Sequence, residues 1–297
     1  MKSLLVVLPL LLVACGSESP SPAAATEDAA VTKDAAIPSE TSAGYSLAYV
    51  PVGSGLSVGK SRFQLRVSQA DGSPAPGLAR DLHLAPLMKM EKMSHGNPVP
   101  PDAVQESATP GLYDVTTFFT MASVDSSGAS VGQWTLGVSV GTAPRIDLPV
   151  EVRPATGTAT THVILRNAAD TISSMGMSKP RSWVLFRDAF TPDGKGGATF
   201  GVFLATVQDG LMIWPPVTKG LALVDATGKV QLTVASLSLQ ASTDGTTWTP
   251  MSCDANARCT ATVSSSAAVL VKLQVNGKDY TTDGAPAEAK NEAARFV

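Results

Sequence analysis

Five residues with soft donors crowd into one short stretch, Asp81 to Gly96: His83, Met88, Met90, Met93 and His95. That is three of the chain's nine methionines and two of its three histidines. Thioether sulfur and imidazole nitrogen are the soft-to-borderline donors that suit copper, above all Cu(I). On an extended strand, Met88 and Met90 project from one face about 6.5–7 Å apart, with Lys89 on the other. Met93 and His95 share that face if the strand runs on, or fold over it if Glu91-Lys92 bends. Such neutral ligands also avoid a thiolate, which an oxidising compartment would convert. The candidate metal ligands are therefore Met88, Met90, Met93 and His95, with His83 and Met121 as further donors. The competing reading is structural: methionine is a flexible core filler, and His95-Gly96-Asn97-Pro98 reads equally as an ordinary turn.

The elements that must position these residues are strands. Aromatic residues make up 5% of the chain and charged residues 16%, against 25 glycines and 21 prolines. With abundant Val, Thr and Ser, this profile fits a turn-rich all-β protein. Ser61-Arg62-Phe63-Gln64-Leu65-Arg66-Val67 alternates strictly, with Phe63, Leu65 and Val67 on one face. Further strand patterns run through Leu82 to Met90, Leu112 to Phe119, Trp134 to Val140 and Ile146 to Val152. After the linker Arg153 to Gly157 they resume at Thr161 to Leu165, Ser182 to Arg187, Ala198 to Ala205, Lys229 to Val234, Ala261 to Val263 and Ala268 to Val275. Turn dipeptides such as Asp193-Gly194, Asp244-Gly245 and Asn276-Gly277 separate them. The expected architecture is two antiparallel, Ig-like β-sandwich domains in tandem, at 45–152 and 155–280. The remainder, 281–297, is a C-terminal tail whose Ala/Glu/Lys-rich end from Pro286 predicts a frayed helix.

The N-terminus sets the compartment. Met1-Lys2 leads into an apolar run from Leu4 to Val13, too short to cross a bilayer core of roughly 30 Å, so residues 1–14 read as a secretory signal. Its end, Leu12-Val13-Ala14-Cys15, resembles the bacterial lipobox. The resemblance implies cleavage before Cys15 and lipidation of its sulfur, which anchors the chain to a membrane surface. Gly16-Ser17, with no Asp after the cysteine, resembles the outer-membrane sorting pattern of a diderm host. Localisation is therefore the cell envelope. From the acylated cysteine to residue 44, the Ala/Ser/Pro/acidic composition cannot bury enough apolar surface to fold and predicts a disordered tether.

With Cys15 set apart, Cys253 and Cys259 remain as an even pair, as expected for one disulfide in an oxidising compartment. Their spacing fits neither a redox CxxC nor a zinc site. Net charge is −3 and pI about 5.6, so there is no basic footprint for nucleic acid. Gly55-Leu56-Ser57-Val58-Gly59 and Gly137-Val138-Ser139-Val140-Gly141 match the hydrolase elbow in letters, but a strand follows the first and Pro144 soon follows the second. No catalytic constellation is assigned, and an enzyme is not expected. Met175 and Met177 with His162 upstream, and Met212 beside Trp214, echo the first pattern but read better as packing residues.

The order of features in the first folded part resembles a known family. Met88-Lys89-Met90 running into Met93-Ser94-His95-Gly96, then Gly111-Leu112-Tyr113 and Gly132-Gln133-Trp134, is similar to the YtkA-like/FixH-like domain over Ser57 to Val152. The resemblance implies an envelope protein associated with heavy-metal and copper handling. The chain departs from the pattern in lacking the FixH spanning helix and in a longer loop at Ala122 to Val131. Two expectations follow. The leading one is a lipid-anchored protein that binds or relays copper and exchanges it with a periplasmic copper-handling protein. The alternative is a non-catalytic envelope scaffold or ligand-binding accessory module with structural methionines.

Overall fold

A computed structural model of the chain describes residues 39–42, 44–174, 177–208, 213–264, 268–285 and 293–297. The signal segment, Cys15 and most of the expected tether lie outside the described residues, as do Met175 and Met212.

The first half contributes strands β1 (Ser39–Ser42), β2 (Tyr45–Pro51), β3 (Leu56–Ser57), β4 (Gly59–Ser68), β5 (Leu82–Lys89) and β6 (Ser94–Gly96). It continues with β7 (Val104–Glu106), β8 (Leu112–Phe119), β9 (Gln133–Val140), β10 (Ile146–Val150) and β11 (Val152–Arg153). The second half opens with β12 (His162–Leu165), β13 (Thr171–Ser174), β14 (Met177–Pro180), β15 (Trp183–Pro192), β16 (Gly197–Thr206), β17 (Ala222–Val224) and β18 (Val230–Thr233). It closes with β19 (Leu237–Ser242), β20 (Thr249–Pro250), β21 (Ser252–Cys253), β22 (Arg258–Ser264), β23 (Val269–Val275), β24 (Lys278–Tyr280) and β25 (Ala294–Phe296). The described residues contain no helix, so the chain is all-β.

Two sheets of the first half, in order β1-β2-β4-β8-β7 and β10-β9-β5-β6, enclose one core. The alternation seen in β4 places Phe63, Leu65 and Val67 inward, against Leu136, Val138 and Trp134 of β9. In the second half the sheet β12-β15-β16-β22-β21 packs on a sheet built around β19 and β23. Every pairing within these four sheets is antiparallel. Both halves are β-sandwiches. A buried polar cluster ties the second one together: Asp170 accepts from Arg181 Nε at 3.0 Å, Trp183 Nε1 at 2.8 Å and Tyr280 Oη at 3.0 Å.

Two expectations are corrected. The end of the predicted tether is strand, because Ser39–Ser42 pairs with Tyr45–Ala48 of β2. The end of the predicted C-terminal helix is also strand: Ala294–Phe296 pairs with Val269–Val271 and buries Ala294 and Phe296. Backbone pairing along β23 and an apolar pocket for Phe296 outweigh the helix propensity of the preceding Ala/Glu/Lys segment. The disulfide stands as expected, joining Cys253 and Cys259 directly opposite one another on β21 and β22.

The sandwiches are joined by an apolar contact. Phe118, on the outer face of β8, stacks on Phe203 at 4.4 Å and 9° and leans on Phe186 at 5.1 Å. Val184, Ala205, Trp214 and Ala257 complete the cluster. Ion pairs border it: Lys60 meets Asp188 at 2.7 Å, and Arg258 donates to Asp102 while lying 3.4 Å from Asp188. Gly59 has a positive φ of 91°, and a Cβ there would strike the Thr161 side chain, so glycine lets the two halves close.

Candidate functional site

Strand β5 decides which donors converge. Leu82 and Met88 face the core, while His83, Ala85 and Lys89 face out. Met88 is fully buried and stands opposite Trp134 of β9 on one side and opposite His95 of β6 on the other. Directly opposed residues of antiparallel strands share a face, so Trp134, Met88 and His95 form one transverse row.

The β5–β6 hairpin is closed by the Met90 N–H donating to the Met93 carbonyl at 2.9 Å. Met90 is half-buried against the same core. Gly132 brings the two inward methionines together: a Cβ there would lie 2.9 Å from Met88 Cε and 3.1 Å from Met90 Cγ. Met93, at the turn, is 43% exposed.

His95 is the polar member. Its ring lies 5.4 Å from Trp214 of the second sandwich and 6.5 Å, edge-on, from Trp134. Its Nδ1 is buried and makes no hydrogen bond within the protein. Burial drives its pKa below the ordinary 6.5; the Gly96 backbone opposes that and the Lys179 charge adds to it. The imidazole is thus held neutral, with a nitrogen lone pair available once the proton sits on Nε2. A buried polar nitrogen without a partner costs about 1–3 kcal/mol, so a ligand that fills it gains that back. Asn97, two residues on, also has a buried unpartnered Nδ2, while its Oδ1 accepts from the Thr120 N–H and hydroxyl.

Of the six residues read as ligands, the structure sets Met88 directly opposite His95 and brings Met90 and Met88 together over Gly132. His83 lies on the opposite face of β5, near Pro100 and Pro101, and is exposed. Met121 packs on the first core, and its carbonyl accepts the Trp134 indole N–H at 3.2 Å. Thioether sulfur and imidazole nitrogen are donors of the soft-to-borderline class, which suit Cu(I) or Ag(I) better than hard cations. Among the described residues no group of three or more His, Cys, Asp or Glu converges as a metal site.

Sequence reasoning missed Trp214, Lys179 and Gly132 as neighbours of this row. Trp214 stood out only beside Met212, and nothing local to either segment links it to His95. Ser57 and Ser139, the serines of the two Gly-x-Ser-x-Gly matches, sit in strands β3 and β9. Of the methionines in the second half, Met177 is 66% exposed on β14. No protein-family model matches the chain, and no curated protein matches it.

Proposed function

We propose that this chain is an exported, non-catalytic envelope protein that binds or relays a soft metal ion, copper(I), through Met88, Met90 and His95. The observation that carries the reading is the transverse row that sets the buried Met88 beside a neutral His95 whose Nδ1 has no partner. The ion would supply the missing partner for that nitrogen. Met90, on the same face of the hairpin, would add a second thioether. Lipidation of Cys15 would hold the protein on the envelope membrane, and a periplasmic copper-handling protein would exchange the ion with it. The likeness of Met88 to Trp134 to the YtkA-like pattern, and an Ig-like assignment of the sandwiches, accord with this reading.

One observation favours the structural alternative: Met88 is fully buried within the first core. On that reading the methionines pack the sandwich of an envelope scaffold or accessory module.

Titration of the full chain with Ag(I), and with Cu(I) under reducing conditions, separates the two. Binding of one ion, with a raised thermal midpoint, is expected for wild type. Loss of that binding in Met88→Leu and His95→Ala chains that remain folded supports the metal reading. No bound ion in wild type, or equal binding in those variants, sinks it.

A further inference from the structure

The second sandwich reaches the sheet edge where the half-buried His95 sits. Strand β6 is the three-residue edge of its sheet, and an uncovered edge leaves its side chains open to water. Here Trp214 lies against the imidazole at 5.4 Å with its plane tilted 36°, and is itself only 9% exposed. With Trp134 on the other side, His95 is held between indoles from the two halves of the molecule.

Trp214 is held in place by backbone bonds to the end of β16. Gln208 N–H donates to Ile213 O at 3.0 Å, Thr206 N–H donates to Pro215 O at 3.2 Å, and Pro216 bridges to Ala205. Ile213, next to it, is 53% exposed, while the Trp214 indole is buried. The indole also belongs to the apolar joint that holds Phe118, Phe186 and Phe203.

We infer that Trp214 closes the soft-metal site, so that an ion reaches or leaves the buried Nδ1 of His95 only when the joint between the sandwiches opens. The inference rests on the metal-binding reading above and assigns the second sandwich a role in it. Trp214 acts as a shielding residue and donates nothing to the ion through a lone pair. Its indole face lies where a cation held by the imidazole would sense it, which adds a modest attraction. Opening the joint separates the Phe118–Phe203 stack and the bordering ion pairs, so exchange is slow in the intact chain. The Lys179 charge, from β14 of the second sandwich, disfavours a positive charge on His95.

The test uses the full chain loaded with Ag(I) or Cu(I) and mixed with excess chelator, with release followed over time. Release from Trp214→Ala is expected to be about tenfold faster than from wild type, while one ion is still bound at equilibrium. Trp214→Phe, which keeps an aromatic wall, is expected to fall between them. As a second readout, Ag(I) is expected to quench indole emission in wild type, and Trp214→Phe to lose a distinct part of that quench among the chain's four tryptophans. Equal release rates in folded wild type and Trp214→Ala overturn the inference while leaving the metal site standing. An unchanged quench in Trp214→Phe overturns it likewise, should the alanine variant fail to fold. A wild type that binds no ion removes the metal reading itself, and this inference with it.

Discussion

Met88 and His95 stand directly opposite one another across the β5–β6 pair, which places a buried thioether and an unpartnered imidazole nitrogen on one face of the sheet. That register is set by the hairpin closed between Met90 and Met93. A slip of one residue would turn Met88 or His95 to the outer face and dissolve the pair.

Gly132 is the close neighbour of both methionines, and Gly132→Ala tests how tightly they are held. The new Cβ would lie 2.6 Å from the Lys89 carbonyl oxygen, a backbone atom that yields little. We expect a loss of about 1–3 kcal/mol in stability, read from urea unfolding, and a several-fold weaker retention of Ag(I). Unchanged retention in a destabilised variant would mean that Met88 and Met90 do not act together on the ion.

The charge of Lys179, on β14, raises the energy of positive charge at His95. Lys179→Gln is expected to tighten Ag(I) binding several-fold, the gain shrinking as salt is added. Titration at low and high ionic strength measures both. A weaker affinity in the variant would count against a cation at His95.

Phe118 tests the joint. Replacing a fully buried phenylalanine by alanine costs about 3–5 kcal/mol, and here the lost contacts are those to Phe186 and Phe203 across the two halves. Calorimetry of Phe118→Ala is expected to show a lower midpoint and a heat-absorption peak that separates into two. A single peak at the wild-type temperature would mean that the joint adds little.

His162 gives the molecule an acid-sensitive seam. Its ring lies 5.5 Å from Phe186, and burial lowers its pKa from 6.5. The unfolded chain therefore takes up a proton before the folded one does. Stability is fully present above the unfolded pKa and falls as pH drops through it toward the lowered folded value. Urea midpoints measured between about pH 7.5 and 5.5 should fall less steeply for His162→Gln than for wild type. Equal slopes would place the acid sensitivity elsewhere.

Much of the fold is legible in local pattern. The alternation of Phe63, Leu65 and Val67 marks one face of β4, and Asp244-Gly245 and Asn276-Gly277 mark turns, because strand period and turn dihedrals are properties of a few neighbouring residues. The runs Trp183-Val184-Leu185-Phe186 and Val202-Phe203-Leu204-Ala205 also held more than was read from them. Antiparallel strands that are apolar on both faces must be covered on both, and the second cover is the first sandwich. The C-terminal strand misled because helix propensity is a weak prior beside a waiting strand edge and a pocket for Phe296.

The sequence by itself determined the all-β class, the cysteine pair, and the clustering of soft donors between Asp81 and Gly96. Side-chain period along one strand was enough to put Met88 and Met90 on a common face. Only the tertiary structure decided which donors meet. His83 falls on the wrong face and Met93 turns to water, while His95 is brought beside Met88 by strand pairing. Trp214, more than a hundred residues away, reaches that same ring because the sandwiches bury their apolar faces against each other. Contacts between distant segments depend on registers and on the packing of whole sheets, and neither is encoded in any single stretch of chain.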